Sequence, residues 1–529
     1  MSTHDAIFIG SGHNALVAAA YLARAGWDVL VLERNDRPGG FVRTDELTLP
    51  GFKHDTYSSS HPLFVGGPVW PELGPDLEER GLRYLTCEDP SGVSLPDGRG
   101  MVLPGDPAAL TAELDRQAPG DGAAMQALLG EFFGQAELVF GLLSMDLASP
   151  DARALTARLM RDADGNATPF AAEFARSARD VLVERFRSPV TRALVAPWLS
   201  HVGRPLDEAG GAPWVALMLA AMQQGGYCTP AGGCGQLAVA LARLVEDHGG
   251  TILTGREVAE ISVSGDAATG VRTADGEHFE AARAVVASTA PDQLYERLLA
   301  GAGAAVPPEI RRQAGRFRYG PACVQVHLAL AEPPRFAADE RLDRCGQPSL
   351  TTEIDSQSEA INQALRGLLP AEPTISFDAP SNVDPARAPE GQAVARLQLL
   401  DLPPHPRADA AGEIAVGDDG WSEDVLERFA DRAVEIAGRH IPNLPGAVLG
   451  RAIVGPRQIS AFNPNSGPDG DPYGGRHDLS QSYLMRPLPG APSHATPVPR
   501  LYMLGAATWP GHGVGGGSGR IVARMLLGE

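Results

Sequence analysis

Gly10, Gly12 and Ala15 stand at the spacing Gly-x-Gly-x-x-Ala, between an apolar run at 6–9 and an alanine-rich segment at 16–25. The run predicts a buried strand and the segment predicts a helix. In such a unit the first glycine allows a tight turn, the second lets the backbone approach a pyrophosphate, and the small third residue lets helix and strand pack closely. Free N–H groups at the start of the helix attract the phosphates. The turn therefore predicts a dinucleotide site.

A second apolar strand is predicted at 28–32, and it ends at Glu33. A carboxylate at this position accepts hydrogen bonds from ribose hydroxyls and would repel a 2′-phosphate. We place three neighbouring residues in the same predicted cofactor site: His13 and Asn14 in the first turn of the helix, and Arg34 after the acid.

The paired glycines Gly39 and Gly40 indicate FAD rather than NAD. They let a second stretch of backbone lie against a long dinucleotide as it continues toward a flavin. A pair at this offset from the second strand is characteristic of the glutathione-reductase-like FAD fold. The predicted strand at 257–263 fits the same fold, with Val258 lying against adenine through its backbone.

The glycine-rich run 505–520 joins a predicted strand to the last predicted helix. A helix N-terminus there can stabilise the negative charge that a reduced flavin carries. We predict cofactor contacts in this run from Gly505, Ala506, Gly513 and Val514. No second strand–Gly-x-Gly-x-x-Gly–helix unit for a nicotinamide appears, so we expect no stably bound NAD(P).

Several sequence blocks resemble the carotenoid/retinoid oxidoreductase family of phytoene desaturase-like FAD flavoproteins. They follow the family's order over nearly the whole chain, at 12–22, 50–55, 230–237, 285–291 and in the C-terminal glycine-rich run. Gly-His-Asn at 12–14 and Met-Arg-Pro at 485–487 are closest to the branch of pyridine nucleotide-disulphide oxidoreductase domain-containing protein 2. The resemblance implies non-covalent FAD, a two-domain fold, and dehydrogenation or sometimes isomerisation of an apolar substrate.

The C-terminal run departs from the family's common His-Pro-Gly-Gly-Gly-Val, because this chain reads Trp509-Pro-Gly-His512-Gly-Val. The resemblance puts Trp509 and His512 where the flavin ring should lie, and we predict these two as the catalytic residues. For His512, one role is an acid, a base or a hydrogen-bond partner of a substrate carbonyl. The alternative is a structural histidine packed by the loop.

Composition excludes several functional classes. The net charge of −21 argues against a nucleic-acid partner. Five scattered cysteines without a Cys-x-x-Cys argue against a disulfide scaffold, a zinc site and disulfide reduction. The histidines show no metal-ligand spacing, so we expect no metal. Lys53 is the only lysine and falls in a segment that better fits the FAD domain, which weakens a monoamine-oxidase-like site with a lysine near the flavin.

The predicted fold class is α/β: a glutathione-reductase-like FAD-binding Rossmann domain with a discontinuous, mixed α+β substrate domain. We assign 1–105, 228–300 and 450–529 to the FAD domain, and 106–227 and 301–449 to the substrate domain. The apolar segment 212–222 is the candidate wall of a substrate cavity. It is shorter than the about 18 residues of a spanning helix. We therefore expect a cytoplasmic protein and leave peripheral membrane contact open.

The expected function is hydride removal from an apolar small molecule, of isoprenoid or polyketide type, with O2, a quinone or another electron acceptor. One alternative is a flavin amine oxidase or natural-product dehydrogenase that acts on a small polar substrate. Another is a regulatory flavoprotein without turnover. The sequence identifies neither the substrate, the acceptor nor the oligomeric state.

Overall fold

The computed structural model describes residues 2–161 and 164–529. Two seven-stranded sheets organise these residues. The predicted α/β class is confirmed, because the first sheet carries the strand–glycine–helix unit and the second belongs to a mixed substrate region.

The first sheet has a parallel core that is buried on both faces, which explains the almost continuously apolar sequences of its strands. The parallel strands are Ser2–Ile9, Val29–Leu32, Thr251–Leu253, His278–Ala287 and Leu501–Met503. Val258–Ser264 and Ala267–Thr273 extend one edge in antiparallel pairing. Ligands of such sheets bind beyond the carboxyl ends of the parallel strands, where the predicted glycine turn lies.

Helices cover this sheet, and their small residues allow close packing. They are His13–Arg24, Trp70–Glu79, Gly235–Asp247 and Gly517–Leu527. Where the first and last of these cross, a Cβ on Gly519 would lie 2.0 Å from the carbonyl oxygen of Asn14. Only glycine allows the C-terminal helix to approach the cofactor turn this closely.

The second sheet is mainly antiparallel. In spatial order its strands are Val448–Val454, Ala322–Leu330, Ala393–Leu402, Ile375–Asp378, Gln347–Leu350, Ser91–Ser94 and Gly100–Leu103. The amphipathic helix Glu423–His440 packs its apolar face, which includes Phe429, on this sheet. Leu397 and Leu399 in the central strand are fully buried beneath it.

Two strands lie in a different sheet from the one that the domain prediction implied. Ser91–Ser94 and Gly100–Leu103 fall in the predicted FAD segment 1–105, but they pair with each other and with Gln347–Leu350 in the second sheet. The first boundary therefore lies before residue 91. Strand propensity identifies these residues as strands, whereas their sheet is decided by a partner far along the chain.

A mostly helical region lies between strands Gly100–Leu103 and Cys228–Pro230 in the sequence. Its helices are Pro107–Gln117, Asp121–Phe133, Ala136–Leu143, Pro150–Leu159, Thr168–Ala175, Ala178–Arg185, Pro189–Val195, Pro197–His201 and Ala212–Gly225. The last contains the predicted segment 212–222, and it packs against Trp198 and Val202. Within the described residues, no helix is long and apolar enough to cross a membrane.

Arg387 joins the two sheet regions through a buried ion pair. The proline-rich composition of loop 380–390 predicts a surface connection, yet the Arg387 side chain is fully buried. It donates to Asp55 at 2.9 Å and to Asp384 at 3.1 Å. Asp55 also accepts the backbone N–H of Cys234 at 2.8 Å, in the predicted glycine-rich block 230–237. Asp55 is therefore a buried hydrogen-bond and ion-pair partner that links loop 380–390 to the block 230–237.

Candidate cofactor and active site

The glycine turn follows the carboxyl end of strand Ser2–Ile9. Gly10 has φ +87°, and helix His13–Arg24 begins at Gly12 without a side-chain cap. The N–H groups of the first helical turn are therefore available to an anion. Burial lowers the pKa of His13 to about 4, so this ring is neutral beside the turn.

Glu33 lies beside the same turn with its carboxylate already engaged. One oxygen accepts the backbone N–H of Ser11 at 2.9 Å and the Ser11 hydroxyl at 2.6 Å. The other accepts the backbone N–H of Asn35 at 2.8 Å. The side chain is 4 % exposed. A carboxylate held in this way still has lone pairs for a ribose hydroxyl.

The glycine pair lies directly on the first turn. The Gly39 N–H donates to the Ser11 carbonyl at 3.0 Å, and a Cβ on Gly40 would come within 3.2 Å of the Gly12 Cα. Gly40 has φ +57°, a conformation that favours glycine. The two glycine motifs, separate in sequence, form one backbone wall.

The C-terminal glycine-rich run 505–520 lies on the other side of the glycine turn. The Gly505 N–H donates to the Ser518 hydroxyl at 3.0 Å, and that hydroxyl is 2.7 Å from the hydroxyl of Thr508. The Gly519 N–H donates to the Asn14 side-chain oxygen at 3.3 Å. Ser518 and Thr508 were not predicted from the sequence, where they are two hydroxyl residues among many glycines.

These segments enclose a cleft, called the main cleft here, of about 1160 Å³ including its open mouth. Its lining includes residues 9–14, 32–35, 40–41, 256–258, 288–290, 462–466 and 504–507. Ten predicted cofactor residues line it: Gly10, Gly12, His13, Asn14, Glu33, Arg34, Gly40, Val258, Gly505 and Ala506.

Four predicted cofactor residues do not line the main cleft. Ala15 is fully buried in the core between helix and sheet, and Gly39 is buried by its pairing with the first turn. Gly513 is exposed, with its backbone hydrogen-bonded to His13. Val514 packs on the core of the first sheet.

Trp509 does not belong to the lining of the main cleft, and its catalytic role stays a prediction. Its indole N–H donates to the carbonyl of Leu142 at 2.8 Å, and its ring packs with Leu142, Ile521 and Tyr483. The helical region supplies this apolar pocket. The sequence of the glycine-rich run does not indicate that a distant helix covers the tryptophan.

His512 lies in a small cluster of rings behind the cleft wall. Its Nδ1 is 3.1 Å from Nε2 of His477, and its ring meets that of Tyr473 edge-on with centroids 5.2 Å apart. Burial, together with the positive charge of Arg486, lowers the pKa of His512 to about 3. His512 is therefore neutral at physiological pH and hydrogen-bonded within the protein.

Arg486 brings a buried positive charge to the same wall. Its guanidinium donates to the carbonyls of Gly474 at 2.7 Å and Ala506 at 2.8 Å, both of which line the main cleft. Among the described residues it has no carboxylate within ion-pair distance. Burial lowers the pKa of Arg486 to about 10, so it keeps its charge at neutral pH. An anion in the cleft would lie close to this cation, whose charge also interacts with the buried carboxyl of Asp471.

A smaller chamber, called the second cavity, lies in the second-sheet region. Counting its open mouth, it spans about 330 Å³, of which only about 20 Å³ is open to a water-sized sphere. It is lined by Pro197, Trp198, Ser200, His201, Ser349, Thr374, Ser376, Gln398, Leu400 and Asp401. Tyr473 connects it to the main cleft: Pro472 and Gly474 line the cleft, and the Tyr473 hydroxyl donates to the Ser200 carbonyl at 2.7 Å. None of its residues was predicted, because they come from a helix and three separate strands.

The main cleft fits a flavin dinucleotide on its donors and its shape. The uncapped helix start suits a diphosphate, and Glu33 suits a ribose hydroxyl. A Cβ at Gly40 would fill space against Gly12. The Thr289 hydroxyl in the lining is buried without a hydrogen-bond partner, so a ligand atom there would supply the missing hydrogen bond. Within the described residues no cluster of His, Cys, Asp and Glu side chains could hold a metal ion.

Comparison with known proteins finds relatives along the full length of the chain. It is 26% identical to pyridine nucleotide-disulfide oxidoreductase domain-containing protein 2 of Mus musculus, over 99% of this chain and 93% of that protein. It is 25% identical to one component of the limonene dehydrogenase of Castellaniella defragrans, over 99% and 94% respectively. It is 26% identical to a neurosporene-forming phytoene desaturase of Cereibacter sphaeroides, over 98% and 94%.

The fold also matches a solved structure of putrescine oxidase bound to putrescine. The TM-score is 0.61 at 16% identity, covering 100% of this chain and 99% of that one. At this identity the match concerns the fold alone. The family model described as flavin containing amine oxidoreductase matches residues 16–400, which is most of the chain. This protein belongs to the flavin containing amine oxidoreductase family.

Proposed function

We propose that this protein is a dehydrogenase that binds FAD non-covalently in the main cleft and removes hydride from a C–H bond of a largely apolar small molecule. The observation that carries the proposal is the cleft itself. The glycine turn, the paired glycines and the C-terminal run meet there around Glu33. When bound, FAD supplies the hydride acceptor.

The chain's own residues have three tasks in this proposal. The N-terminus of helix His13–Arg24 binds the diphosphate, and Glu33 orients the ribose. Arg486, held by the carbonyls of Gly474 and Ala506, stabilises negative charge that develops beside the cleft wall. Tyr473, which is nearly fully buried, closes the cleft wall between Pro472 and Gly474.

The apolar nature of the substrate is supported by the named relatives. Two full-length relatives, the limonene dehydrogenase component and the phytoene desaturase, are named for terpenoid hydrocarbons.

The buried face of helix Ala212–Gly225 packs on Trp198, which lines the second cavity. This helix is thus a second layer behind that cavity rather than its wall.

A second candidate function is oxidation of a small polar molecule, such as an amine. The polar lining of the second cavity and the family match favour it. The position of the only lysine argues against a lysine-assisted amine oxidase. Lys53 lines neither cavity, and its backbone N–H donates to the carbonyl of Arg387 at the joint between the two sheet regions.

The decisive experiment uses the purified protein with its flavin. Acid precipitation tests the cofactor linkage, since a non-covalent flavin stays in the supernatant. Anaerobic mixing with isoprenoid hydrocarbons and with primary amines then follows bleaching of the visible flavin band. Bleaching by an isoprenoid supports the proposal, whereas bleaching by amines alone supports the second candidate function, amine oxidation. Failure to bind FAD after reconstitution contradicts both.

A regulatory flavoprotein would give a different result. Its flavin would be photoreduced, but no added quinone or O2 would reoxidise it and no substrate would bleach it. That combination would contradict the proposed dehydrogenase.

A further inference from the structure

The segment that follows the glycine pair belongs to a short two-stranded element, called the ribbon here. Its strands are Thr44–Asp45 and His54–Asp55, which pair antiparallel. Backbone hydrogen bonds extend this pairing as far as the carbonyl of Phe41, which accepts the N–H of Ser58 at 3.3 Å. Phe41 follows Gly40 directly, and both line the main cleft. The first strand of the ribbon is therefore continuous with the cofactor wall.

Two buried arginines of the predicted substrate domain hold the other strand of the ribbon. Arg387 donates to the Asp55 carboxylate at 2.9 Å, and the two side chains are 0 % and 1 % exposed. Arg396 donates to the backbone carbonyl of Tyr57 and to the Ser59 hydroxyl, the latter at 2.7 Å. The substrate region thus contacts the ribbon through charged groups that are shielded from water.

The Asp55 carboxylate also binds the strand that leads back to the glycine pair. The oxygen that does not face the arginine accepts the Thr44 hydroxyl at 2.7 Å and the backbone N–H of Cys234 at 2.8 Å. The Thr44 hydroxyl in turn accepts the N–H of Gly235 at 3.0 Å, at the start of a helix that covers the first sheet. A Cβ on Gly233 would lie 2.3 Å from the Thr44 hydroxyl oxygen, so these groups have little room to move.

Arg387 is itself held in one orientation. Its Nε donates to Asp384 at 3.1 Å, and its Nη2 donates to the Thr229 hydroxyl at 3.1 Å. Its backbone carbonyl accepts the N–H of Lys53 at 2.8 Å. A planar guanidinium presents donors in a fixed fork, whereas a lysine ammonium is a point charge and cannot reproduce this set of contacts. The position of Asp55 therefore depends on the arginine fork.

The glycine pair tolerates little displacement of the ribbon. The Gly39 N–H donates to the Ser11 carbonyl at 3.0 Å, and a Cβ on Gly39 would lie 2.6 Å from the Cβ of Ala238. A shift of the ribbon would therefore change the spacing between the glycine pair and the glycine turn. A binding site that is already held in its final geometry loses less free energy to ordering when the ligand binds.

We propose that Arg387 is a positioning residue of the cofactor site, which fixes the wall at the glycine pair through Asp55 and Thr44. This role rests on the proposed binding of FAD in the main cleft. Arg387 does not line the cleft, so it acts on FAD affinity only through the residues it holds. The affinity of the cofactor site thus depends on a residue of the substrate region.

The test compares Arg387→Lys with Arg432→Lys in the FAD-loaded full chain. Arg432 is the matched control, because it is also a buried arginine that donates to an aspartate, Asp409, at 2.7 Å, and it does not line the main cleft. Each substitution keeps the positive charge and loses the fork. We expect both variants to have a lower Tm, and only Arg387→Lys to bind FAD more weakly, by about fivefold, which corresponds to one lost hydrogen bond.

The measurements are thermal unfolding, FAD release from diluted holoprotein by flavin fluorescence, and FAD titration of the flavin-free chain. Visible circular dichroism at saturating FAD is a further readout. The spectrum should change in Arg387→Lys, because the wall moves, and should stay as in wild type in Arg432→Lys. The positioning role would be contradicted if both variants lost FAD affinity in proportion to their loss of Tm, or if neither lost it.

Thr44→Val tests the same connection without changing a charged group. Valine keeps the shape of the side chain but lacks the hydroxyl that joins Asp55 to the N–H of Gly235. We expect a similar loss of FAD affinity, and no further loss when this change is combined with Arg387→Lys, since both interrupt one connection. Unchanged affinity in Thr44→Val, or additive losses in the double variant, would overturn the proposal. Thr44→Val alone decides the matter if Arg387→Lys does not fold.

FAD affinity and substrate oxidation are measured separately, so the two proposals can fail separately. Weaker FAD binding in Arg387→Lys and Thr44→Val, without bleaching of the wild-type flavin by any substrate, supports the positioning role and contradicts the dehydrogenase. Bleaching by an isoprenoid, with FAD affinity equal in wild type and both variants, does the reverse.

Discussion

The carboxylate of Glu33 holds both hydrogen-bond donors of Ser11, accepting its N–H at 2.9 Å and its hydroxyl at 2.6 Å. This contact ties the end of strand Val29–Leu32 to the glycine turn that follows strand Ser2–Ile9. The acid is therefore fixed in place by the protein alone. Such preorganisation lowers the entropic cost of ligand binding.

Replacing Glu33 with Gln should weaken FAD binding by tenfold or more. The amide keeps the size of the side chain but turns one acceptor into a donor facing N–H groups, and a charge-assisted hydrogen bond contributes about 1.5–3 kcal/mol. The measurement is flavin content after purification and a fluorescence titration of the flavin-free protein. The control is Glu246→Gln on the exposed end of helix Gly235–Asp247. Unchanged affinity in Glu33→Gln would remove this residue from the cofactor site.

Gly40 and Gly26 form a matched pair for testing the close approach of the two turns. Both have positive φ, +57° and +81°, so alanine at either position costs about 1 kcal/mol of backbone strain. A Cβ at Gly26 meets open space, whereas at Gly40 it lies 3.2 Å from Gly12. We expect Gly40→Ala to lose FAD and Gly26→Ala to lower only Tm. Equal flavin occupancy in the two variants would show that FAD binding does not need the close contact between Gly40 and Gly12.

The partly buried Asp401 should make stability fall as the pH rises from about 4 to about 6. Burial raises the pKa of Asp401 to about 6, while in the unfolded chain an aspartate titrates near about 3.9. The folded state thus binds more protons in this window, and stability decreases as the pH rises. Asp401→Asn should increase the free energy of unfolding at neutral pH by about 1–2 kcal/mol.

Urea unfolding at two pH values, about 4 and about 7.5, measures this difference, and the advantage of the Asn variant should vanish at the lower pH. Asp418→Asn, on an exposed loop, is the control and should change stability at neither pH. A constant difference between wild type and Asp401→Asn across the range would contradict the raised pKa.

His512 should not control the pH dependence of substrate oxidation. Its pKa is lowered to about 3 by burial and by Arg486, so its charge is constant over any practical assay range. We expect the kcat/KM profiles of wild type and His512→Gln to have the same shape between pH values of about 5 and 9. A difference in absolute kcat/KM between the two proteins would measure the contribution of the hydrogen bond between His512 and His477. Loss of an inflection in the variant would instead assign His512 an acid–base role.

The cysteines should be unreactive in the folded protein. Burial raises the pKa of Cys87, Cys228 and Cys323 to about 12, and it also raises the pKa of Cys234 and Cys345 well above the ordinary thiol value. The thiolate is the reactive form, so a disulfide reagent should label the native protein slowly and all five thiols after denaturation. Flavin reduction should survive treatment with iodoacetamide. Rapid native labelling with loss of flavin reduction would instead support redox-active thiols.

Local patterns predicted much of the fold. The helix predicted at 16–25 is found at His13–Arg24, and the strand predicted at 28–32 is found at Val29–Leu32. Their apolar residues follow patterns that are a property of neighbouring residues. The Gly-x-Gly turn was equally accessible, because its meaning depends only on the strand before it and the helix after it.

The parts that were missed depend on contacts between distant segments. The sequence marks Arg486 only as part of a family motif, and nothing in it indicates that the guanidinium lies behind Ala506. The family resemblance does not indicate that the Trp509 ring is covered by a helix that ends at Leu143. Tertiary packing decides such positions after the local preferences have been met.

The bond between Asn14 and Gly519 has a consequence for how the holoprotein is made. The two residues are 505 positions apart, so a ribosome synthesises the glycine turn long before the helix Gly517–Leu527 that packs on it. A nascent chain therefore carries the glycine turn long before the cleft is complete. We expect flavin to bind only after this helix has been made, and a chain truncated before Gly517 to be a colourless protein.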